Sequence, residues 1–249
     1  MQNEESVSNY KSNFWIKMHS IALAVVAIVL SLGQWNDTKD AVEMIYESII
    51  TNWTNEIEYD QLSKIKVGQT ENYIDELIGV AQASKNSKLS PDVTYYYYGE
   101  DKYLLTIAIK QKRVAGYSVT ALKDHFTMAV PFTELSLLDT PISALNNELE
   151  NYFTDNGNLD YYAESYSLGR NAMFYNLGLG VVDYGLMDAN TSRQLQAINH
   201  KLNSGADLAF DELAVLRTAS PNFYAISELP AELMVESMLT RFEFTAFFN

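Results

Sequence analysis

The stretch Thr94–Val119, TYYYYGEDKYLLTIAIKQKRVAGYSV, contains three runs rich in tyrosine and β-branched residues, separated by short polar segments. Runs of this composition with brief polar breaks are typical of strands joined by tight turns. The pattern therefore predicts an antiparallel meander with the strands Thr94–Tyr98, Tyr103–Ile109 and Val114–Val119. A sheet of this kind is expected to bury one face against a helix.

A short helix with both ends specified precedes the meander. Thr70 is a favoured capping residue, Ile74 and Leu77 form an apolar face, and Gly79 can adopt the backbone that ends a helix. The order of helix and strands predicts an α+β unit over residues 66–125.

The same order of elements recurs further along the chain. Thr140 and Pro141 resemble a helix start, and a polar loop then leads to three strand-like runs. Those runs are Tyr161–Leu168, Met173–Leu179 and Val181–Tyr184. The recurrence, at an offset of about 66 to 70 residues, predicts a second α+β unit over residues 126–188 and suggests a duplication. Chance similarity between two such stretches is the open alternative.

The last part of the chain changes to helical spacing. Thr191–Leu202 and Phe210–Arg217 have the period of two helical arms, with Gly205 between them. Pro230 opens a final helix that runs through Phe247. These features predict a C-terminal helical subdomain over residues 189–249.

An apolar run without charged residues, Ile21–Leu32, precedes the meander in the sequence. With its aromatic borders it covers residues 14–35, and about 20 residues of helix cross a bilayer core of about 30 Å. Lys11 and Lys17 precede the run while acidic residues dominate after it, which predicts a cytoplasmic N-terminus. We therefore expect a cytoplasmic tail over 1–13, a transmembrane anchor over 14–35 and a juxtamembrane helix over 36–65.

The predicted fold class is thus α+β, with an N-terminal transmembrane helix, helix-on-antiparallel-sheet modules and C-terminal helices. The predicted location is the bacterial inner membrane, single-pass, with a periplasmic C-terminal domain. Two alternatives stay open for the apolar run. It can be a cleaved secretory signal, since Ser31 and Gly33 are small residues at a candidate cleavage site, or a buried core helix.

Composition narrows the classes of function. The formal net charge is −15, and the charges before residue 35 cancel, so the acidic excess lies in the remainder. Binding of nucleic acid or anionic lipid surfaces relies on clustered Lys and Arg, which argues against both as partners. The absence of cysteine removes disulfides, thiolate metal sites, thiol nucleophiles and thiol-linked lipid.

Motifs that carry chemistry are missing from the sequence. The histidines are His19, His125 and His200, and none belongs to a catalytic or metal-binding pattern. The segment Asp155–Asp160 begins like a calcium loop but lacks the distal glutamate. The sequence therefore predicts that the protein is not an enzyme and has no catalytic residue, cofactor or metal site.

Aromatic residues form the candidate interaction surface. Half of each tyrosine run should face outward from a sheet, and tyrosine is favoured at interfaces. The C-terminal phenylalanines offer a second apolar contact. The candidate residues are Tyr95, Tyr97, Tyr161, Phe244 and Phe248. The alternative is that the tyrosine hydroxyls only reach water and that the phenylalanines dock on the domain core.

Val67–Thr70, the helix that ends at Gly79 and the tyrosine-rich strands resemble the small outer-membrane assembly lipoprotein fold (SmpA/BamE). That fold is similar to the repeat of the β-lactamase inhibitory proteins. The resemblance covers residues 62–119 and implies a two-layer, helix-on-sheet module. This sequence departs from the pattern because it lacks the lipidated cysteine and has Val80 where a proline usually follows the glycine.

The whole chain, including Pro221–Tyr224 (PNFY), also resembles the ETEC-domain family of bacterial single-pass proteins. That resemblance implies an architecture and no established activity. The leading interpretation is a membrane-anchored, extracytoplasmic protein-binding or scaffold protein of the bacterial envelope. The alternatives are an envelope enzyme with a carboxylate pair, and a membrane-sensing subunit of a multi-protein system such as phage defence. The sequence does not identify the protein partner or the oligomeric state.

Overall fold

Eight strands and six α-helices are present in the parts of the chain that the computed structural model describes, residues 54–145, 149–155, 157–205 and 210–248. The strands are β1 (Ala83–Asn86), β2 (Val93–Gly99), β3 (Tyr103–Lys110), β4 (Arg113–Ala121), β5 (Asn151–Asp155), β6 (Tyr161–Ser167), β7 (Asn176–Val182) and β8 (Phe223–Ser227). The helices are α1 (Glu56–Ser63), α2 (Glu71–Ile78), α3 (Ala189–Asn203), α4 (Phe210–Leu216), α5 (Ala231–Glu236) and α6 (Arg241–Phe248). Two short 3₁₀ turns are Ile142–Ala144 and Arg170–Ala172.

The chain divides into two compact units, Met1–Ile57 and Glu58–Asn249, and all eight of these strands belong to the second. The predicted tail, the predicted anchor and the part of the juxtamembrane helix before residue 54 lie outside the described residues. Where the structure describes the chain, it contains no helix that is both long and apolar enough to cross a membrane.

The strands form one sheet in the order β1-β2-β3-β4-β8-β7-β6-β5, and every neighbouring pair is antiparallel. The first meander, β1 to β4, and the second, β5 to β7, lie on either side of β8. Thr120 of β4 and Gly180 of β7 both pair with Phe223 of β8. The central strand therefore comes from late in the chain and joins the two meanders.

The predicted fold class, a transmembrane helix followed by separate helix-on-sheet modules, is wrong. The described chain has a single eight-stranded antiparallel sheet with helices on both faces, and no membrane-spanning helix. The two predicted modules form one sheet because β8 pairs with the last strand of each meander, β4 and β7, whose edges would otherwise be unpaired. The prediction of a single-pass membrane protein is corrected for the same reason, because the described residues contain no membrane-spanning helix. The predicted domain boundaries stay a prediction.

The first face of the sheet carries the larger core. Side chains alternate between the two faces of a strand, so Leu105 and Ile107 of β3 point to the same side. Tyr162 and Tyr166 of β6 belong to that same cluster. Helices α1 to α4 cover this face through Leu62, Ile74, Leu195, Ile198, Leu213 and Leu216.

The second face is covered by α5 and α6. Tyr95, Tyr97 and Leu104 pack there against Leu233 and Leu239. Because both faces are covered, the central strands are buried along nearly their whole length, as β3 and β8 show.

Several elements predicted from the sequence are confirmed. The three strands of the first meander are present as β2, β3 and β4. The Thr70 side chain accepts a hydrogen bond from the Tyr73 amide at the start of α2, and Gly79 ends the helix with a φ of 82°. The helix predicted to start at Thr140 is not formed. The short 3₁₀ turn Ile142–Ala144 lies there instead, and it has no side-chain cap. The final helix is divided into α5 and α6.

Candidate functional site

Tyr95 and Tyr97, two of the predicted surface residues, lie in the interior, with exposed fractions of 0% and 1%. The Tyr95 hydroxyl lies 2.9 Å from both the Leu233 carbonyl and a Glu236 carboxylate oxygen. The Tyr97 hydroxyl donates to the Ser237 carbonyl at 2.8 Å. Burial raises the pKa of both hydroxyls. The expectation that these tyrosines face outward is wrong, because they fix α5 to the sheet.

The other predicted surface residues are also part of internal contacts. Tyr161 is buried on the second face of the sheet. The Phe244 ring stacks on Tyr184 with 4.6 Å between ring centroids, and Phe248 packs beside Phe244 at 5.8 Å. The structure thus brings Phe244 and Phe248 together with Tyr97 in one cluster, apart from Tyr161. The phenylalanines dock on the core, which is the alternative that the sequence left open.

A buried carboxylate lies on the first face, at Glu164 of β6. Its side chain has no solvent exposure, and it accepts hydrogen bonds from the hydroxyls of Tyr162 and Tyr166. The Arg217 Nε atom lies 3.1 Å from a Glu164 oxygen, an ion pair whose N–H direction is not aligned for a hydrogen bond. Burial raises the pKa of both tyrosines, and the neighbouring carboxylate raises it further. This cluster is closed to substrate and has the geometry of a structural network.

Two further carboxylates meet at Arg241, near the start of α6. The guanidinium is within 3.1 Å of Asp160 and also binds Asp183. These hydrogen bonds and charges raise the pKa of Arg241, the contribution of Asp183 being the larger. An acid–base pair requires two carboxylates in different environments. Asp160 and Asp183 instead share the same cation, Arg241.

The described residues provide no metal centre, since they hold no group of three or more His, Asp or Glu side chains suited to an ion. His125 is exposed, and its Nδ1 atom lies 3.2 Å from the neighbouring Asp124 carboxylate.

The best candidate for a functional surface is the turn between β6 and β7, where Met173 and Phe174 project into solvent. Their exposed fractions are 69% and 71%. Both have positive φ, 54° and 58°, a conformation that costs a bulky residue about 1 kcal/mol or more. We call these two residues the β6–β7 tip. Two consecutive large apolar residues held in strained backbone and in water do not stabilise the fold.

The β6–β7 tip is held in place by a network of main-chain hydrogen bonds. The amide of Phe174 donates to the Gly169 carbonyl at 3.3 Å, and that of Tyr175 donates to the Ala172 carbonyl at 3.1 Å. The Tyr175 hydroxyl lies 3.4 Å from the Met173 sulfur. The surrounding turn therefore fixes the strained conformation, with Ala172 buried in the core below it.

The sequence predicted a strand from Met173 onward, and this is wrong, because β7 begins at Asn176. Met and Phe have high strand or helix preference, and their types give no sign of a positive φ. The nearby Gly169-Arg170-Asn171 segment indicated a turn but not its length. Apolar residues directly after a turn signal are the one feature that could have indicated an exposed tip.

No protein-family model matches the chain, and no curated protein matches it. Among solved structures, it is similar to an extracellular protein containing an SCP domain from Bacillus anthracis str. Ames, with a TM-score of 0.37 and 11% identity over 68% of this chain and 45% of that one. It is also similar to a cysteine-rich secretory protein from Staphylococcus aureus subsp. aureus Mu50, with a TM-score of 0.34 and 10% identity over 68% of this chain and 46% of that one. The chain therefore spans less than half the length of either protein. A likeness at this level carries no conclusion about function.

Proposed function

We propose that this protein is an extracytoplasmic binding protein, not an enzyme, that contacts a protein partner through the β6–β7 tip. The observation that carries the proposal is the exposure of Met173 and Phe174 in left-handed backbone. Strain of this kind persists where the surrounding structure enforces it, and it concentrates at binding and switch sites.

A comparison within the chain supports this reading. Gln111 and Lys112 also have consecutive positive φ values, but they are polar and close the two-residue hairpin between β3 and β4. Such hairpin turns require positive φ at both positions. The β6–β7 turn is longer, and Met173 is the left-handed residue that ends the 3₁₀ turn Arg170–Ala172. What distinguishes the tip from the hairpin is that its two consecutive positive-φ residues are large, apolar and exposed.

The chemistry of the tip indicates the chemistry of the partner. A methionine and a phenylalanine fit an apolar pocket, and aromatic residues in such pockets dominate binding energy. The net charge of −15 repels acidic surfaces. The partner is therefore a protein with an apolar pocket whose rim is neutral or basic.

The extracytoplasmic placement is supported by the apolar run Ile21–Leu32 with Lys11 and Lys17 before it, the composition of an export signal. Alkaline phosphatase fused after Phe248 tests it, because the enzyme becomes active only outside the cytoplasm. We expect an active phosphatase fusion and an inactive β-galactosidase fusion at the same site. The reverse pair of activities would contradict the placement.

The proposal that the protein is not an enzyme rests on its carboxylates. Glu164 is closed to solvent, and Asp160 and Asp183 both bind Arg241, so none of the three is an exposed carboxylate without a counter-charge. This weighs against the envelope-enzyme alternative.

Site-specific photocrosslinking in living cells tests the protein contact. A photoreactive phenylalanine analogue replaces Phe174, and in a matched control it replaces Phe242, which is 81% exposed on α6 in ordinary helical backbone. We expect one defined protein to crosslink at position 174 and not at position 242. Crosslinking of the same proteins at both positions, or of none at 174, would refute the contact.

A further inference from the structure

A groove with a cavity volume of about 370 Å³ lies between α2 and the β1 edge of the sheet. Glu71 and Asp75 line it from α2, and Tyr96 and Tyr98 line it from β2. We call it the α2–β2 groove. Small-molecule sites have volumes of about 300–1,000 Å³, so the groove has the size of such a site.

The groove is open because the strand at its rim is an edge strand with a small side chain. β1 is the outermost strand on this side of the described sheet. Ser84 of β1 pairs with Tyr96 of β2, so both side chains point to the first face. Because serine is small, the space beside the Tyr96 ring stays unfilled.

Two carboxylates give the groove its charge. Glu71 and Asp75 are one turn apart on α2, and residues at this spacing have Cβ atoms about 5–6 Å apart. Neither residue belongs to an ion pair with another described residue. The described chain therefore leaves two negative charges in the groove without a counter-charge, which favours a cationic ligand.

Tyr98 supplies a hydrogen-bonding group inside the groove. The residue is only 7% exposed. Its hydroxyl forms no hydrogen bond with another described residue, yet the oxygen is not sealed from solvent, so it is reached through the groove. Buried hydroxyls are nearly always paired, and an ammonium group is a donor that this oxygen can accept.

Each carboxylate acts most strongly on one of the two tyrosines. Burial, and then the charge of Asp75, raises the pKa of Tyr98 to about 12. Burial, and then the charge of Glu71, raises the pKa of Tyr96. Both hydroxyls are therefore neutral at pH 7. The groove is divided into two subsites for positive charge, Glu71 with Tyr96 and Asp75 with Tyr98.

An apolar wall accompanies the two subsites. Ile74 and Ile109 are buried and line the groove, and Val80, which is 87% exposed, stands at its rim. Methylene groups are stabilised against such a wall. A metal ion fits less well, because the described residues provide no group of three His, Asp or Glu side chains to hold one.

We propose that the α2–β2 groove is a binding site for a linear aliphatic diamine or polyamine. One ammonium group binds Glu71 beside the Tyr96 ring, and the next binds Asp75 and donates to the Tyr98 hydroxyl. The methylene chain between them lies against Ile74 and Ile109. This site is separate from the β6–β7 tip and does not depend on the protein contact proposed there.

Isothermal titration calorimetry of the full chain with 1,5-diaminopentane at low ionic strength tests the site. Pentylamine has the same hydrocarbon chain with one ammonium group, and 1,5-pentanediol has it with none. We expect the diamine to bind, pentylamine to bind at least about tenfold more weakly, and the diol to show no binding, because each charged hydrogen bond contributes about a factor of ten or more.

Variants of the carboxylates test where the diamine binds. E71Q/D75N keeps the shape of the groove and should weaken diamine binding by at least about tenfold. The matched control, E76Q/E232Q, removes the same net charge from exposed positions that do not line the groove, and its affinity should stay within about twofold of wild type. Circular dichroism of both double variants checks that they are folded.

Tyr98→Phe separates binding from folding. It keeps the ring and removes a hydroxyl that has no partner in the described chain, so the free variant should melt at the wild-type temperature while its diamine affinity falls by about tenfold. The proposal is overturned if the wild type does not bind the diamine or binds the diol equally well. It is also overturned if E71Q/D75N is affected no more than E76Q/E232Q, or if Y98F binds the diamine as tightly as wild type.

Discussion

At the scale of single residues, the stability of the first face depends on the pair Glu164–Arg217. Glu164 is fully buried, so its charge is tolerated only because two tyrosine hydroxyls and the Arg217 guanidinium compensate it. Replacing either member alone leaves the other without its opposite charge. These partners account for an acidic residue in the middle of a buried strand.

Arg217→Met is therefore expected to lower the free energy of unfolding by about 3–5 kcal/mol, the cost of an uncompensated buried charge. Urea denaturation followed by circular dichroism measures it. The double variant E164Q/R217M should recover part of the loss, because the buried charge is then removed. A loss below about 1 kcal/mol for R217M would show that the ion pair is not structural.

Glu236 on α5 is the residue through which the C-terminal helices bind the turn after β1. Its carboxylate accepts hydrogen bonds from the Ser87 hydroxyl, the Lys88 amide at 2.6 Å and the Leu89 amide at 3.2 Å. Burial acts to raise the pKa of Glu236, but the hydrogen bonds, with that of Ser87 first, outweigh it and lower the pKa below its ordinary 4.5. The folded state therefore favours the charged carboxylate.

A group whose pKa is lowered by folding adds stability above its unfolded pKa and loses it as the pH falls through the folded value. Glu236→Gln should lower the free energy of unfolding by about 1–2 kcal/mol at pH 7. The difference from wild type should begin to shrink as the pH falls below about 4.5, the ordinary pKa, and should be lost once the pH passes the lower pKa of folded Glu236 and its carboxylate becomes neutral. Denaturation across pH 3–7 measures this, and a difference that grows toward low pH would contradict it.

At the scale of elements, the stacking of Phe244 on Tyr184 is one of the contacts that hold α6 against the rest of the fold. Phe244 stacks on Tyr184 with 10° between the ring planes, while Phe242 on the same helix points into solvent. A stacked aromatic pair contributes beyond the area that it buries.

Phe244→Ala should therefore lower the free energy of unfolding by about 2–3 kcal/mol. Phe242→Ala removes the same atoms from the same helix and should change it by less than about 0.5 kcal/mol. Thermal unfolding of the two variants side by side provides the measurement. Equal effects would mean that the Tyr184 contact does not stabilise α6.

The sequence predicted elements well where periodicity and capping act locally. The strands β2 to β4 and the helix α2 were predicted from tyrosine-rich runs and from Thr70 and Gly79. The strand β8 was not, because Phe223–Ser227 is only five residues long and buried on both faces. Such a run shows no alternation, and its pairing partners lie far away in sequence.

At the scale of the whole molecule, β8 changes the fold from two modules to one sheet. No local pattern shows that a late strand enters between Arg113–Ala121 and Asn176–Val182. The candidate site was missed for a related reason. The sequence indicated exposed tyrosines from alternation, but α5 and α6 cover that face. Met173 and Phe174, which were predicted to lie in a strand, are exposed in a turn instead.

In the proposed function, an exposed turn is kept in spite of its cost to stability because the strain at the β6–β7 tip serves partner contact. Phe174→Gly removes both the strain and the side chain, because glycine accepts positive φ freely. Lys112→Gly removes comparable strain at a hairpin without touching the tip, and so is the matched control.

The most direct measurement is the free energy of unfolding of F174G and K112G, together with recovery of the partner crosslinked through position 173. Both variants should be more stable than wild type by about 0.5–1 kcal/mol. Only F174G should lose the partner. A destabilised F174G, or one that retains the partner as fully as K112G does, would contradict the account.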